Sequence, residues 1–480
     1  MNRLQSVNPS TGEVIGAVVV ASVADVQSAV KRARAAQASW AAVPIQERVA
    51  LLEKAAERLV ENTEALALLL TREMGKPLAE ARGEVRVVAK MLASDPAAVA
   101  AALASESFEN ARTRTTIHRD PFGVVACISP WNFPVMMPHQ QVVPALVAGN
   151  TVVVKPSEET PLVGQAYLDV LLEVLPEDVL NVVHGAEEQG KALVSSDVDL
   201  IVFTGSREAG KHILAEASKG LKRVILELGG KDPLIVLDDA DIDAAARFSA
   251  SNTFRNAGQV CVSTERIYVE PAVHDRFVAA LVSEAQRMTV GDGLAEGTRI
   301  GPMIHARQRA HVLRQIEAAV ADGATVVWDG GGASGHSFLA PVILADCTHD
   351  MGIAREETFG PVACIYRVDD EEDAVRHAND TRFGLGASVF GSPARAHRVA
   401  RRLTAGMIGV NQGLSSAGST PWVGASESGF GFHSGSEGHR QFAQVRVVSE
   451  RLMGTCPGFR GTGGNSVVLG RSVAPRPHVS

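Results

Sequence analysis

The sequence predicts an α/β protein built from two doubly wound domains, because two kinds of segment alternate along most of its length. Short apolar runs recur between Val124 and Val410, and stretches with a helical spacing of apolar residues separate them. Continuous apolar strands that alternate with helices indicate parallel sheets covered on both faces. Two adjacent glycines, Gly229 and Gly230, separate an earlier series of strands from a later one. We therefore expect the domain boundary at these glycines.

The pattern also predicts where the elements lie. Residues 22–106 have the spacing of helices, and residues 112–118 alternate like an exposed strand that precedes a turn at 120–123. The first series of strands is expected at 124–128, 151–154, 179–183, 200–203 and 224–226. The second series is expected at 234–237, 267–269, 325–328, 342–344, 362–366, 388–390 and 407–410. Residues 452–480 are rich in Gly, Pro and Ser, which is typical of a disordered tail.

Composition argues against several classes of protein. A net charge of −8 over 480 residues gives no reason to expect nucleic acid or an anionic membrane as a partner. Residues 1–11 are polar and no apolar run is long enough to span a bilayer, so we expect a cytoplasmic protein. The five cysteines are odd in number and lack the spacing of a zinc or disulfide motif, so neither a metal nor a disulfide framework is expected.

One cysteine stands in an unusual context. Cys261 lies in the stretch NAGQVCVSTER, residues 256–266, among small and polar residues. Most free cysteines are buried and inert, and a reactive cysteine needs a special environment. These residues alone therefore leave two interpretations open, a core thiol and a nucleophile.

Polar residues follow two of the expected strands at their carboxyl ends, where ligands bind in open parallel sheets. Gly205 and Ser206 join a strand to a helix, a geometry that binds phosphate through glycine and the helix N-terminus, although any such turn favours these residues. Lys155 and Glu158 follow another strand in TVVVKPSE. Glu158 can accept hydrogen bonds from an adenosine ribose and would repel a 2′-phosphate. The pattern therefore favours NAD over NADP. The alternative interpretation is that Lys155 and Glu158 are a pair of exposed loop residues without a role in binding.

Three further stretches carry candidate groups. Asn132 in SPWNFP is held between prolines, where its amide can donate to an oxyanion or simply shape a turn. Glu227 in LELGGKDP lies at the end of an apolar strand, which would raise its pKa toward that of a general base. In EETFGP, Glu357 could bind a second ribose and Phe359 could press on a flat ring.

In this order, PWNFP, KPSE, FTGS, ELGGK, GQVC and EETFGP resemble the motifs of the aldehyde dehydrogenase superfamily over about residues 5–450. The resemblance implies an NAD-binding domain at 1–107 and 123–229, with a Rossmann-like fold, and a catalytic domain at 230–437. It also implies a small β oligomerisation element at 108–122 and 438–451. Such proteins are homodimers or homotetramers because this element pairs with a neighbouring subunit.

The resemblance also implies roles for individual residues. Cys261 is the nucleophile that forms a thiohemiacetal, the Asn132 side chain and the Cys261 backbone N–H hold the oxyanion, and Glu227 activates the water that cleaves the thioester. The residues implied in cofactor binding are Trp131, Lys155, Glu158, Gly205, Ser206, Glu357 and Phe359. Two alternatives remain, a coenzyme A-acylating relative and a family member without turnover. Glu227 argues against the first, because that reaction needs no base for water. The presence of both the nucleophile Cys261 and the base Glu227 argues against the second.

The resemblance places the substrate tunnel around five residues, which are Phe133, Met137, Gln140, Arg255 and Trp422. Arg255 matches an arginine with which semialdehyde dehydrogenases bind the substrate carboxylate. Those enzymes tend to carry a second arginine at the position of Gln140, so the expectation of a semialdehyde substrate rests on one guanidinium.

Overall fold

The computed structural model describes residues 2–331, 337–414 and 418–452. The tail that the sequence predicts to be disordered, 452–480, lies outside these ranges from residue 453 onward. Among the described helices, none is long and apolar enough to cross a membrane.

The strands lie close to their predicted positions throughout both series. They are β1 (Arg3–Val7), β2 (Val14–Val19), β3 (Glu106–Glu109), β4 (Thr113–Pro121), β5 (Val124–Ile128), β6 (Thr151–Lys155), β7 (Leu180–Val182), β8 (Leu200–Thr204), β9 (Arg223–Glu227), β10 (Asp232–Val236), β11 (Thr264–Val269), β12 (Thr325–Asp329), β13 (Val342–Ala345), β14 (Val362–Arg367), β15 (Gly386–Phe390), β16 (Met407–Val410), β17 (Trp422–Val423), β18 (Gly429–Phe430), β19 (Phe432–His433) and β20 (Ala443–Arg451).

The helices fill the intervals between these strands and form most of the first hundred residues. They are α1 (Val23–Ala42), α2 (Ile45–Glu61), α3 (Thr63–Met74), α4 (Leu78–Ala102), α5 (Met136–Val147), α6 (Pro161–Leu172), α7 (Glu187–Ser195), α8 (Arg207–Ser218), α9 (Ile242–Phe254), α10 (His274–Ala285), α11 (Ala306–Ala321), α12 (Gly352–Arg355), α13 (Glu371–Asn379), α14 (Pro393–Ala400) and α15 (Gly435–Arg440).

The first large sheet has six strands in the order β18-β9-β8-β5-β6-β7, and all but β18 are parallel. Both faces are covered, as the alternation of residues along β5 shows. Val124 and Ala126 pack with α1, α7 and α8, whereas Val125 and Cys127 pack with α4, α5 and α6. Cys127 is thus a core residue, and the continuous apolar run of β5 follows from burial on both faces.

The second large sheet has seven strands in the order β12-β13-β14-β11-β10-β15-β16. Its strands are parallel except β12, which pairs antiparallel with β13 at the sheet edge. The prediction of an α/β protein with two doubly wound sheets is therefore confirmed. The chain passes between the sheets at Gly229 and Gly230, and the short strand β18 returns from the later part of the chain to pair with β9.

A further sheet is antiparallel and has three strands, in the order β20-β4-β3. It contains the segments expected to form an oligomerisation element. The predicted turn at 120–123 begins later than expected, because Asp120 and Pro121 still pair with Gln444 and Ala443 of β20. Proline is tolerated there since it is the last residue of β4.

Candidate active site

A strained turn delivers Cys261 to the space between the two large sheets. Helix α9 ends at Phe254, and Asn256, Ala257 and Gly258 then follow with φ values of 51°, 55° and 72°. Left-handed backbone is costly for residues with a Cβ, and it persists where the surroundings fix it. A Cβ on Gly258 would overlap the carbonyl oxygen of Gly360, so only glycine fits there. Such backbone strain is typical of a functional site.

The Cys261 thiol is partly exposed to a cavity and lies close to several acidic side chains. Loss of water around the sulfur raises the pKa of the thiol to about 12, and the nearby carboxyl groups of Asp232, Glu357 and Glu227 act in the same direction. The Val262 backbone N–H opposes this shift. In this state the thiol is neutral, and forming the thiolate requires a base or a positive charge near the sulfur.

The Glu227 carboxyl lies at the end of β9 and lines the same cavity as Cys261. Its backbone is held on two sides, because its carbonyl accepts from the Gly205 N–H at 3.0 Å and Gly429 of β18 pairs with it. The side chain is 3% exposed, and neither oxygen has a hydrogen-bond partner among the described residues. Burial raises the pKa of Glu227 well above its usual range, which makes it a stronger base once it is ionised.

Asn132 lies at the cavity wall directly after β5 and its following turn. Its side-chain Nδ2 donates to the Gln259 carbonyl at 3.0 Å, which uses one of the two amide hydrogens. Asn132 and Cys261 line the same cleft of about 270 Å³, so the second hydrogen is within the region where substrate would bind. Cys261 is shared by the cleft that Asn132 lines and the cavity that Glu227 lines, so the three predicted groups, separated by up to 129 positions, lie around one thiol.

The five predicted substrate residues line one cavity of about 500 Å³ together with Cys261 and Glu227. Its remaining wall is mostly apolar, but it includes three charged residues on or just before helix α4 that were not predicted from the sequence. Lys76 precedes this helix, and Glu80 and Glu84 lie one turn apart on it. The i, i+4 spacing of the two glutamates was visible in the sequence, but it is equally typical of a solvated helix face.

The predicted cofactor residues gather in two adjoining clefts. The larger, of about 630 Å³, contains Trp131, Lys155, Glu158, Gly205 and Ser206. The smaller one, which reaches Cys261, contains Glu357 and Phe359 as well as Trp131, Gly205 and Ser206. The residues shared by the two clefts make them continuous, which is what an elongated dinucleotide requires.

The strand–turn–helix at Gly205 has the features of a phosphate-binding turn. The Ser206 hydroxyl caps helix α8 by accepting from the Ala209 N–H at 3.3 Å. The remaining N–H groups of the first helical turn and the helix dipole favour an anion at this end. The donor set therefore fits the pyrophosphate of a nicotinamide dinucleotide.

The end of the cofactor cleft near the thiol is built around Glu357. Burial raises the pKa of this carboxyl to about 8, and the Gly230 N–H donates to its Oε1 at 3.0 Å. Phe359 has a φ of 51° and its ring meets Trp131 edge-on, with 5.4 Å between the ring centroids. Among the described residues, no group of three or more His, Cys, Asp or Glu side chains could hold a metal ion.

Lys155 changes the expected effect of Glu158. The Lys155 ammonium lies 3.0 Å from Glu158 Oε2 and also donates to the carbonyls of Pro156 and Gly185. The lysine is buried, whereas 41% of the Glu158 side chain is exposed. A fixed positive charge beside a solvated carboxylate weakens the repulsion of a 2′-phosphate on which the prediction of NAD depended.

Comparison with known proteins bears on both the family of this chain and its cofactor. The model of the aldehyde dehydrogenase family matches residues 1–448. A probable succinate-semialdehyde dehydrogenase [NADP(+)] of Sinorhizobium fredii is 40% identical, over 93% of this chain and 92% of that protein. The succinate-semialdehyde dehydrogenase [NADP(+)] of Escherichia coli is 36% identical, over 92% and 93%. The crystal structure of succinate-semialdehyde dehydrogenase from Burkholderia pseudomallei superposes with a TM-score of 0.91 at 36% identity, over 94% and 95%.

These relatives correct one prediction and confirm another. The expectation of NAD in preference to NADP is wrong, since both relatives from Sinorhizobium fredii and Escherichia coli are named for NADP(+). Glu158 misled the sequence analysis because its neighbouring lysine was not weighed against it. The resemblance seen in the motifs is confirmed over nearly the whole chain. This chain belongs to the aldehyde dehydrogenase family, and it oxidises an aldehyde to a carboxylic acid.

Proposed function

We propose that the protein is an NADP-dependent semialdehyde dehydrogenase, whose substrate carries a carboxylate at the end remote from the aldehyde. The observation that carries the proposal is the position of Arg255 in the cavity that contains Cys261. No carboxylate of the described residues lies within ion-pair distance of its guanidinium, which packs over the Phe133 ring at 5.6 Å. Burial raises the pKa of the Glu80 carboxyl on the same wall, and the charge of Arg255 acts against this shift. The guanidinium thus has an acidic neighbour but no ion pair among the described residues, which leaves its donors for a substrate carboxylate.

The cavity's other residues suit a short, flexible chain between the two functional groups. Met137, Phe133 and Trp422 supply apolar surface, and Gln140 can donate a hydrogen bond where a second arginine would add charge. The Arg255 guanidinium is then the one charged group that binds the substrate carboxylate in the proposed site. We expect a weaker preference for the charged substrate than two arginines would give.

In the proposed reaction the Cys261 thiol loses its proton to solvent, and the thiolate attacks the aldehyde carbon to form a thiohemiacetal. The Asn132 amide and the Cys261 backbone N–H stabilise the oxyanion. A bound nicotinamide would supply the oxidant, so this carbon would lose a hydride and a thioester would remain on Cys261. Glu227 takes a proton from water, whose oxygen attacks the thioester carbon. The acid leaves, and the proton held by Glu227 passes to the Cys261 sulfur, which restores the thiol.

The cofactor would lie along the two adjoining clefts. Gly205 and Ser206 would hold the pyrophosphate, and Glu357, with Phe359 and Trp131 beside it, would hold the nicotinamide ribose. Lys155 supplies the positive charge for a 2′-phosphate, and the exposed Glu158 side chain can turn toward solvent.

We also propose the domain bounds that the motifs implied, and assembly into a homo-oligomer. Strand β20 is the edge of its sheet and leaves Val445, Val447 and Val448 exposed by 53%, 59% and 47%. An apolar edge strand of this length invites pairing with another chain. Sedimentation of the full chain tests this, and a monomer at micromolar concentration would contradict it.

The test of function is the rate of reduced-cofactor formation with a matched set of aldehydes. Succinic and glutaric semialdehydes would be compared with butanal and pentanal, with NADP or NAD, and with or without coenzyme A. We expect the highest kcat/KM for a semialdehyde with NADP, with no requirement for coenzyme A. In Arg255→Met we expect kcat/KM to fall by about 10- to 100-fold for the semialdehydes alone, as for the loss of a charged hydrogen-bonded contact. An equal fall for butanal would contradict the role of Arg255, and dependence on coenzyme A would contradict hydrolysis.

A further inference from the structure

A buried lysine in the wall of the active site contacts the turn that carries Asn132. Lys76 is 2% exposed and lies just before helix α4. Its ammonium pairs with the Glu84 carboxylate, donates to the backbone carbonyl of Asn132 at 3.0 Å and lies 4.0 Å from the centroid of the Phe133 ring. Three different interactions thus tie one charge to the turn that carries Asn132.

The partner of this lysine holds the same turn at its other end. Glu84 is 6% exposed, and its Oε1 accepts from the backbone N–H groups of Val135 and Met136, each at 3.1 Å. Val135 is the residue before helix α5 and Met136 is its first residue, and N–H groups at this end of a helix lack partners within the helix. The carboxylate therefore fixes where this helix begins.

The ion pair accordingly spans the whole turn from Asn132 to Met136. On the opposite side, Asn256 donates to the Asn132 carbonyl at 3.3 Å, and the Gln259 carbonyl accepts from the Asn132 amide at 3.0 Å. Asn132 is thus held between helix α4 and the strained turn that carries the nucleophile. Its amide has no freedom to follow the substrate, so its direction depends on these supports.

We propose that the Lys76–Glu84 ion pair is a positioning device that aims the Asn132 amide at the oxyanion. The proposal rests on the oxyanion role given to Asn132 under the proposed function. A buried ion pair is a weak source of stability, because the loss of hydration offsets the attraction between the charges. It does fix geometry, and catalysis is sensitive to displacements of about 1 Å in a reacting group. Lys76 and Glu84 act through Asn132 and need not touch the substrate.

The test is a double-mutant cycle between Lys76→Met and Asn132→Ala, with Lys90→Met as a control because Lys90 is an exposed lysine on the same helix. We expect Lys76→Met to lower kcat by about 10- to 100-fold while the KM for the aldehyde changes little. In the Asn132→Ala background the same change should cost less than about twofold, since the positioned group is already gone. Lys90→Met should leave all constants unchanged.

Two outcomes separate this proposal from the one on which it rests. If Asn132→Ala leaves kcat unchanged, the oxyanion role itself is wrong. If Asn132→Ala lowers kcat but Lys76→Met does not, the positioning role is wrong. It is also wrong if the fold loss of kcat in the double variant equals the product of the losses in the two single variants. Binding of NADP and the rate of Cys261 alkylation by iodoacetamide serve as measures of folding, and both should match the wild type.

Lys76→Met leaves the Glu84 charge buried without its partner and can prevent folding. The double variant Lys76→Met/Glu84→Gln removes both charges, and the new amide oxygen can still accept from Val135 and Met136. We expect this variant to fold, to bind NADP and to show the same loss of kcat. A kcat equal to that of the wild type would overturn the proposal.

Discussion

The Glu357 carboxyl packs directly against the backbone of Gly229, and its Oε1 accepts from the Gly230 N–H at 3.0 Å. A Cβ on Gly229 would come within hard contact of both Glu357 oxygens. The two adjacent glycines therefore do more than separate the sheets. They leave room for a carboxyl group at the proposed ribose site.

The first prediction follows from this packing. Gly229→Ala should push the Glu357 side chain away and raise the KM for NADP by about three- to tenfold, the size expected for loss of a hydrogen bond to an uncharged carboxyl group. The KM for the aldehyde should change less. Gly352→Ala is the matched control, because a Cβ there meets nothing within 4 Å and the residue is exposed. Equal KM values for NADP in both variants would remove Glu357 from the cofactor site.

The second prediction concerns the release of the acid. Glu227→Gln keeps the shape of the side chain but removes the base, so hydrolysis of the thioester should become rate-limiting. Rapid mixing with NADP and aldehyde should give one equivalent of reduced cofactor in a burst, followed by a steady rate lower by about 100-fold or more. A slow first turnover without a burst would show that Glu227 acts before hydride transfer instead.

The third prediction is a stability that falls as the pH rises. Burial raises the folded-state pKa of Glu357 from 4.5 to about 8, so between these values the folded chain keeps a proton that the unfolded chain loses. The slope is at most about 1.4 kcal/mol per pH unit for one such group. Buried Glu227 and Asp232, whose pKa values burial also raises, contribute with the same sign.

Thermal unfolding of the wild type should therefore give a lower Tm at pH 8 than at pH 5.5. Glu357→Gln should reduce this difference because its side chain does not ionise. The outcome against the prediction is a pH dependence of Tm that is identical in the two proteins.

The fourth prediction concerns the choice of cofactor. Glu158→Ser should lower the KM for NADP by about three- to tenfold, because a carboxylate near a phosphate is removed while Lys155 stays. Lys155→Met should raise the KM for NADP more than that for NAD. Initial rates at several salt concentrations should show both effects shrinking as screening increases. If the ratio of the KM for NADP to the KM for NAD is the same in the wild type and both variants, neither residue contributes to discrimination of the 2′-phosphate.

The fold was predictable because its strands are buried on both faces and read as continuous apolar runs. The end of β4 was misplaced, since Asp120 and Pro121 are typical turn residues and only their pairing with β20 keeps them in the strand. Four of the six motifs lie at the carboxyl ends of strands, which face the crevice, whereas GQVC and EETFGP precede strands β11 and β14. The positions of the motifs along the chain therefore predicted that Cys261, Glu227 and Asn132 lie near one another, and their roles stay predictions.

What the sequence did not reveal depends on contacts between distant positions. Lys76 and Glu84 look like ordinary charges of a helical region, and only packing shows that they are buried against Asn132. Glu158 favoured the wrong cofactor because the 3.0 Å contact with Lys155 changes the charge that a phosphate would meet. Side-chain pairing of this kind is set by tertiary structure and is invisible in a list of motifs.

The proposed reaction passes through a thioester on Cys261. The most direct measurement is the intact mass of Glu227→Gln after mixing with NADP and succinic semialdehyde, followed by peptide mapping. We expect one acyl group per chain, located on Cys261 and absent from Cys261→Ala. An enzyme that turns over without any acylated chain, or an acyl group on another residue, would contradict it.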